Sequence, residues 1–322
     1  MNTTTQIRKT RGLSRRNFLT AAGLATAGIC LMPRRLFADY VSPVTIIREA
    51  AGTAEITITK LRGNVSILDG SGGNIAVFTG REGKLLVDAG ITGTRKRITE
   101  ALASLGPEPV KHLINTHWHF DHTDGNEWLH SEGAQIIAHE NTRKHLSVDT
   151  RVEGWRFTFP ASPAGALPTT LFKTGRKIDF NGKTVALKYY PPAHTDSDIS
   201  VEFTDADILH VGDTWWNGHY PFIDYSTGGS INGSIAAAEA NVAIVTSKTI
   251  VIPGHGPVGG KSQLIEFRDM LVGIRDKITG LKKEGRSLAE VLAAKPTADH
   301  DKKWGDWVID GATFTSLVYQ GV

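Results

Sequence analysis

The side chains best suited to chemistry are concentrated in residues 117–122, where three histidines and one aspartate occupy four of the six positions. They are His117, His119, Asp121 and His122. Imidazole and carboxylate groups are common ligands of divalent transition metals. Because a tetrahedral site takes four ligands and further His and Asp residues follow along the chain, this stretch predicts a site for two metal ions.

The residues on either side indicate how this stretch is held. An apolar run at 110–115 predicts a strand, and Gly125-Asn126 indicates a turn into a helix. His117 and His119 alternate along an extended segment and therefore point the same way, whereas Asp121 and His122 belong to the following turn. The alternative, an exposed loop with incidental histidines, leaves the flanking strand and turn unexplained.

The pattern His117-x-His119-x-Asp121-His122 resembles the signature of the metallo-β-lactamase superfamily of metallohydrolases. Three later segments carry a histidine or aspartate in the order that the resemblance requires, over roughly residues 55–280; they contain His194, Asp213 and His255. The resemblance implies an α/β protein with an αβ/βα four-layer sandwich, in which two β-sheets are flanked by helices and a binuclear zinc site lies between the sheets.

The same resemblance implies a role for each ligand. His117, His119 and His194 would bind the first zinc, Asp121, His122 and His255 the second, and Asp213 would bridge them. A hydroxide shared by the metals would be the nucleophile, oriented by Asp121, the catalytic residue. Zinc brings the pKa of bound water to near 7, so no separate general base is required. Two zinc ions per chain are expected, with iron or manganese as alternatives.

The residue at position 213 bears on which bond is cleaved. β-Lactamases of the superfamily often carry a cysteine where this chain has Asp213, whereas glyoxalase II, lactonases and related esterases carry an aspartate. The resemblance therefore favours hydrolysis of a lactone, ester or thioester, with β-lactam opening as a secondary activity. Three alternatives stay open: a β-lactamase proper, an iron-dependent oxidoreductase, and a non-catalytic metal-binding accessory protein on the same fold.

Other residues are predicted to support the site. Asp88 at a strand end and Asp196 beside His194 are candidates to orient the imidazoles. The aromatic segment after Asp213 is predicted to form the wall of a substrate pocket through Trp215, Trp216, His219 and Tyr220, the alternative being that its tryptophans pack in the core. The aromatic, proline-containing stretch 150–170 is predicted to be a lid.

The remaining pattern predicts the elements that position these residues. Four glycine-separated strands over 55–88 are expected to be antiparallel, and Asn181-Gly182 predicts a tight hairpin turn. Helices are predicted at 94–105, 140–146, 231–245, 264–281, 287–294 and 304–319. Residues 39–53 are predicted to be a linker or an added strand.

Charge and cysteine usage separate the N-terminus from the rest of the chain. Of 36 basic and 33 acidic residues, seven bases and no acids lie in residues 1–38, which leaves 29 bases against 33 acids in the remainder. That remainder has no basic excess that would favour nucleic acid, so the expected partner is a small-molecule substrate. Because Cys30, the single cysteine, lies within residues 1–38, no disulfide is expected in the domain that follows.

Residues 1–38 are predicted to be an export signal that precedes one hydrolase domain over 39–322. Residues 14–19, Ser-Arg-Arg-Asn-Phe-Leu, resemble the twin-arginine signal, which implies a bacterial protein exported in the folded state to the periplasm or beyond. The apolar stretch at 18–32 is short for a membrane span, so the membrane is expected to be met only transiently; an uncleaved anchor is the alternative. The sequence leaves the oligomeric state open.

Overall fold

The computed structural model describes residues 42–322, so the predicted export signal lies outside the described residues. The first element is helix α1 (Pro43–Ala51), and the prediction of a linker or strand over 39–53 was therefore wrong for this part. The Ser42 hydroxyl accepts a hydrogen bond from the Val44 backbone N–H, and Pro43 in the first turn has no N–H that would need an acceptor. None of the helices within residues 42–322 combines the length and apolar character needed to cross a membrane.

Nine strands follow before residue 175, seven of them in one sheet. They are β1 (Thr57–Lys60), β2 (Val65–Asp69), β3 (Ile75–Gly80), β4 (Gly83–Val87), β5 (Val110–Ile114), β6 (Gln135–His139), β7 (Thr150–Val152), β8 (Phe157–Phe159) and β9 (Thr170–Phe172). The sheet order is β1-β2-β3-β4-β5-β6-β9, and β7 and β8 form a separate hairpin. The first four strands are antiparallel, as predicted, and from β4 onwards the pairing is parallel.

A second sheet contains the last five strands in sequence order. They are β10 (Gly175–Phe180), β11 (Lys183–Tyr189), β12 (Ile199–Phe203), β13 (Ile208–His210) and β14 (Ile250–Ile252). Asn181 and Gly182 connect β10 to β11 with φ angles of 53° and 69°, the left-handed conformation that a tight hairpin turn needs. The last pair, β13 and β14, is parallel.

The helices after α1 are short near the metal-binding stretch and long near the C-terminus. They are α2 (Arg95–Ser104), α3 (Phe120–Thr123), α4 (Asn126–Ser131), α5 (Glu140–Leu146), α6 (Ile231–Ile244), α7 (Lys261–Lys283), α8 (Leu288–Ala294), α9 (Ala298–Trp304) and α10 (Gly311–Gly321). The prediction of a single helix over 304–319 was wrong, because one helix ends at Trp304 and the next begins at Gly311. The chain leaves α9 at Trp304, and the Asp310 carboxylate accepts a hydrogen bond from the Thr313 N–H to begin α10.

Three apolar cores separate four layers. Between the sheets, Phe78 meets Phe180 and Phe203 edge to face, at centroid distances of 6.3 and 5.8 Å. The outer face of the first sheet packs against α2 and α4 through residues such as Ile98 and Leu129. Helices α6, α7 and α10 cover the second sheet. The αβ/βα sandwich predicted from the sequence is confirmed.

The strand directions determine where the polar segments meet. β4 and β5 run parallel, and so do β13 and β14, so the carboxyl ends within each pair lie at one edge of its sheet. Asp88 and the 117–122 stretch follow β4 and β5, while Asp213 and His255 follow β13 and β14. These four segments therefore emerge toward one another at the same end of the sandwich.

Candidate metal centre

The structure brings together all seven residues predicted as metal ligands, in two adjoining groups. His117, His119, His194 and Asp213 form the first group, and Asp121, His122 and His255 form the second. Within each group the candidate ligand atoms all lie within 4.8 Å of one another. Six of the seven side chains are buried and Asp121 is half-buried.

The spacing of the first group suits a tetrahedral ion. Nε2 of His194 lies 2.9 Å from Nδ1 of His119 and 3.3 Å from Oδ2 of Asp213. Two ligands that are each 2.0–2.1 Å from a tetrahedral zinc are roughly 3.3 Å apart. In the second group, Nε2 of His255 lies 3.2 Å from Oδ2 of Asp121, which fits the same geometry.

Asp213 joins the two groups. Its Oδ2 lies 3.8 Å from Nε2 of His117 and 3.4 Å from Nε2 of His255, and its Oδ1 lies 3.2 Å from Nε2 of His122. Position 254 beside it must be glycine, because a Cβ there would lie 1.8 Å from Oδ1 of Asp213. The carboxylate therefore lies between the two ligand groups, in contact with histidines of both.

An unsatisfied buried atom tests whether a cation fits. Nε2 of His117 is buried without a hydrogen-bond partner, although its ring is fixed by a 3.0 Å contact between Nδ1 and the Thr116 hydroxyl. Buried polar atoms without partners are rare in folded proteins, and a metal ion at the point that this nitrogen faces would satisfy it. The donor set of imidazoles and carboxylates also matches divalent transition metals.

Asp88 orients part of the cluster. Its carboxylate accepts hydrogen bonds from the Thr116 N–H at 2.7 Å and the Thr116 hydroxyl at 2.8 Å, and it lies 2.8 Å from Nδ1 of His122. The contact directs Nε2 of His122 towards Asp121 and Asp213. The orienting role predicted for Asp88 thus has a structural basis, and it extends to His117 through Thr116.

The orienting role predicted for Asp196 was wrong. Its Oδ1 lies 2.7 Å from Nε2 of His145, a residue outside the cluster, and its backbone N–H bonds to the Thr227 carbonyl. The side chain therefore faces α5, although it is only two positions from His194. Sequence proximity did not reveal which way the loop turns.

Two orienting groups were missed from the sequence. Asp224 places Oδ2 3.1 Å from Nε2 of His119 and accepts a hydrogen bond from the Thr227 hydroxyl, so His119 presents Nδ1 to the site. The Phe222 carbonyl accepts a 2.7 Å hydrogen bond from Nδ1 of His194. Both groups lie in the irregular segment after Asp213, where no spacing rule indicated them.

A cavity of about 290 Å³ lies over the cluster and exposes Asp121, Asp213 and His255 at its floor. Its walls are largely aromatic and aliphatic, formed by Ile47, Trp155, Trp216, Phe222, Trp307 and Leu317 among others. Small-molecule sites are concave, mostly apolar and carry a few convergent polar groups, as this cavity does.

The sequence identified one of these wall residues. Trp216 lines the cavity, whereas the other three predicted pocket residues do not. Trp215 and Tyr220 are fully buried in the core, and the Tyr220 hydroxyl bonds to Asp301 at 3.0 Å. The ring of His219 lies outside the lining, 4.8 Å from that of Trp307, which does line the cavity. Trp215 therefore packs in the core, which is the alternative given for the tryptophans, and Tyr220 lies in the core as well.

Part of the 150–170 stretch covers the cavity. Strands β7 and β8 form a hairpin whose connection carries Trp155, and its indole stacks on the Phe222 ring at 4.8 Å. The same indole lies 4.9 Å from the His119 ring. Ser42 at the start of α1 donates a hydrogen bond to the Trp155 carbonyl at 2.9 Å, which ties the hairpin to the N-terminal helix.

Comparison with known families agrees with this geometry. A model of the metallo-beta-lactamase superfamily matches residues 68–255, which include all seven clustered residues. The chain belongs to the metallo-β-lactamase superfamily. Members of this superfamily are typically metal-dependent hydrolases, and the group of histidines and aspartates described above suits such chemistry.

Individual relatives within the superfamily are distant. The chain is 29% identical over 168 residues to the 2,4-dinitroanisole O-demethylase alpha subunit of Nocardioides sp., covering 51% of this chain and 47% of that one. It is 30% identical over 161 residues to a hydroxyacylglutathione hydrolase of Polaromonas sp., covering 49% and 52% respectively. The chain thus spans about half the length of the curated relatives it matches.

Solved structures of the superfamily share the fold. A metallo-beta-lactamase from Pontibacter korlensis superposes with a TM-score of 0.55 at 20% identity, over 68% of this chain and 99% of that one. At this level of identity the similarity establishes the fold alone.

The aspartates and histidines of the cluster shift one another's pKa values. Burial opposes protonation of His255, but the carboxylates of Asp213 and Asp121 outweigh it and raise the pKa of His255 to about 9. The pKa of His122 is likewise raised well above its usual value by Asp213, Asp121 and Asp88, despite burial. Burial favours the neutral form of Asp213, yet the surrounding histidines hold the pKa of its carboxyl well below the usual range. Without metal, protons on histidines therefore balance the aspartates.

Asp88→Asn is expected to weaken metal binding about 10- to 100-fold, because it removes the acceptor that orients His122 and Thr116. Asp196→Asn is the matched control: it removes a half-buried carboxylate that lies 2.7 Å from His145, outside the cluster, and is expected to leave metal affinity within about 2-fold. Competition with a metallochromic chelator measures both. Equal losses in the two variants would refute the orienting role of Asp88.

Proposed function

We propose that this protein is a binuclear zinc-dependent hydrolase that cleaves an activated carbonyl compound, namely a lactone, ester or thioester. The observation that carries the proposal is the position of Asp213, whose two carboxylate oxygens reach histidines of both ligand groups at 3.2–3.8 Å. A shared carboxylate is the arrangement found in two-metal hydrolytic sites.

The protein residues divide the work in this proposal. The two ligand groups hold the cations, which when bound supply Lewis-acid polarisation of a carbonyl oxygen and of water. Asp121, the one ligand that is partly exposed, faces the cavity and is available to accept a hydrogen bond from the attacking water. Trp155, Trp216 and Phe222 surround this point with apolar surface and limit bulk water around the reacting carbonyl.

The choice of an activated carbonyl rests on two supports. An aspartate stands at position 213, as in the ligand set of glyoxalase II and lactonases, and the hydroxyacylglutathione hydrolase relatives are named for hydrolysis of an acyl-glutathione. The similarity to a β-lactamase structure concerns the fold, so β-lactam opening is kept as a secondary activity to be tested.

The test combines metal analysis with a substrate panel. Purified protein is expected to contain about two zinc ions per chain and to hydrolyse at least one lactone, aryl ester or thioester, with β-lactams slower. One ion or none under metal-replete conditions would refute the binuclear site. Two ions without turnover of any carbonyl substrate would refute the hydrolase and favour a metal-binding accessory protein, while iron with a visible absorption band would favour an oxidoreductase.

We also propose that residues 1–38 direct the folded protein across the inner membrane of a bacterium. The support is the Arg15-Arg16 pair before an apolar stretch, together with the absence of acidic residues up to Asp39. Replacing both arginines by lysine, which keeps the charge, is expected to abolish export, whereas replacing Arg34 and Arg35 by lysine should preserve it. Fractionation of cells that produce each variant measures the result, and equal export of the two would contradict the twin-arginine route.

A further inference from the structure

We infer that the cavity selects substrates whose bound part is uncharged and apolar or aromatic, and discriminates against those that carry a carboxylate beside the scissile carbonyl. This inference rests on the proposed function, because it concerns the substrate of the same site. Within each of the three carbonyl classes, lactones, esters and thioesters, it restricts the substrates to uncharged members.

With metals bound to its histidines, the cavity has no cationic side chain among the described residues to receive an anion. None of the residues that line it, all within the described range 42–322, is lysine or arginine. The ionisable groups that face it are Asp121, Asp213 and His255, which belong to the ligand set. A substrate carboxylate would therefore be buried without a protein partner, or would have to displace a ligand or water at the metal centre.

The nearest arginine on the covering helix is engaged elsewhere. Arg48 lies one position after Ile47 in α1, but its guanidinium lies 3.3 Å from Oδ1 of Asp124 and 5.2 Å from the centre of the Phe120 ring. It lines a neighbouring cavity of about 480 Å³ that shares Phe120 with the first. Phe120 therefore separates this positive charge from the metal centre.

The walls offer aromatic faces in place of charge. Trp155 stacks on Phe222 at 4.8 Å on one side, and Trp216 meets Trp307 edge to face at 5.2 Å on the other. Trp307 also lies 5.0 Å from the ring of His255, so the aromatic wall reaches the edge of the ligand cluster. Flat apolar groups would pack between these surfaces.

Uncharged polar groups come from one face of α10. Thr313, Ser316 and Gln320 line the cavity at the spacing of one helix face, together with Leu317. The Ser316 hydroxyl donates to the Ala312 carbonyl at 3.0 Å, whereas within the described part of the chain the Thr313 hydroxyl and the Gln320 amide have no hydrogen-bond partner. They are free to bind neutral acceptors or donors of a substrate, such as an ester, amide or nitro group.

A matched pair of esters tests the inference in the purified, metal-loaded protein. Methyl 4-nitrophenyl succinate and 4-nitrophenyl hemisuccinate share the acyl chain and the leaving group. Their distal carboxyl is a methyl ester in the first and a free carboxylate in the second, so they differ by one methyl group and one negative charge. The neutral ester is expected to be hydrolysed with a kcat/KM at least about 30-fold higher, because an unpaired carboxylate must be desolvated. Equal kcat/KM values, or a preference for the anion, would overturn the inference.

Two substitutions at one position sharpen the test. Gln320→Arg places a cation at the cavity wall and is expected to raise the anionic-to-neutral ratio of kcat/KM about 10-fold or more. Gln320→Met, of similar length and no charge, should not raise that ratio as the arginine does, because it adds no cation. If both variants shift the ratio alike, charge is not what the cavity discriminates, and the inference is refuted.

A binding measurement separates this inference from the proposed hydrolase. In the corresponding 4-nitroanilides an amide that resists hydrolysis replaces the 4-nitrophenyl ester. One anilide carries a neutral methyl ester and the other a free carboxylate. Both absorb light that tryptophans such as Trp155, Trp216 and Trp307 emit, so binding quenches the fluorescence. Quenching is measured with the metal-loaded protein and after chelator treatment. Tighter binding of the neutral anilide supports the inference even if no ester is turned over, whereas tighter binding of the acid to the metal-loaded protein overturns it.

Discussion

Asp213→Asn is expected to reduce kcat/KM by roughly 10³-fold and the metal content from two ions to one or fewer per chain. The substitution keeps the size of the side chain but removes the negative charge shared by four histidines at 3.2–3.8 Å. A metal acting as a Lewis acid contributes several kcal/mol to transition-state stabilisation, and about 4 kcal/mol corresponds to this factor. Elemental analysis and steady-state kinetics on the same preparation measure the two losses together.

The control for this substitution is His139, a buried histidine outside the cluster. His139 stacks on Tyr189 with ring centres 4.0 Å apart, and its Nε2 lies 2.9 Å from the Lys173 carbonyl oxygen. His139→Gln is expected to cost some stability but to keep two ions and near-normal turnover. Unchanged kinetics in Asp213→Asn would remove Asp213 from the reacting centre.

Removal of the metals is expected to lower the Tm by more than about 10 °C as well as to abolish turnover. A ligand present at 100 times its Kd stabilises the folded state by about 2.7 kcal/mol, so two ions contribute more than 5 kcal/mol. For a domain of this size each kcal/mol corresponds to about 2–4 °C. Thermal unfolding with and without a chelator measures the shift, and readdition of zinc should restore it. An unchanged Tm would argue against high-affinity sites.

The metal-free protein should also lose stability as the pH rises from about 6.5 to 9. The pKa of His255 is about 9 in the folded state and 6.5 in the unfolded chain. Protonation of His255 therefore stabilises the fold fully below pH 6.5, and this contribution is lost as the pH rises towards 9. The change is on the order of 3 kcal/mol. The metal-loaded protein should not show it, because the metals replace these protons. Urea unfolding at several pH values, with and without chelator, distinguishes the two forms.

Regular elements were predictable where local patterns are strong. The hairpin at Asn181-Gly182 depends on left-handed φ angles that these two residues adopt readily. The alanine-rich composition of α6 and the repeated apolar face of α7 were enough to predict these two helices. The boundary between α9 and α10 was missed, because it depends on the side chain of Asp310 competing with the helix for the Thr313 N–H. α1 was missed because it is short and its buried face is recognised only once the hairpin at Trp155 is in place.

The sequence by itself determined the donor atoms of the metal centre and the fold that could bring them together. Metal affinity follows from the ligand type, and His117, Asp213 and His255 each stand at a strand end that a parallel pairing places at one edge. Only the tertiary structure decided which groups orient those donors and what surrounds them. Asp224 rather than Asp196 reaches a ligand, and Trp155, Trp307 and α10 close the cavity, because such contacts depend on the directions of irregular loops that local residue preferences do not specify.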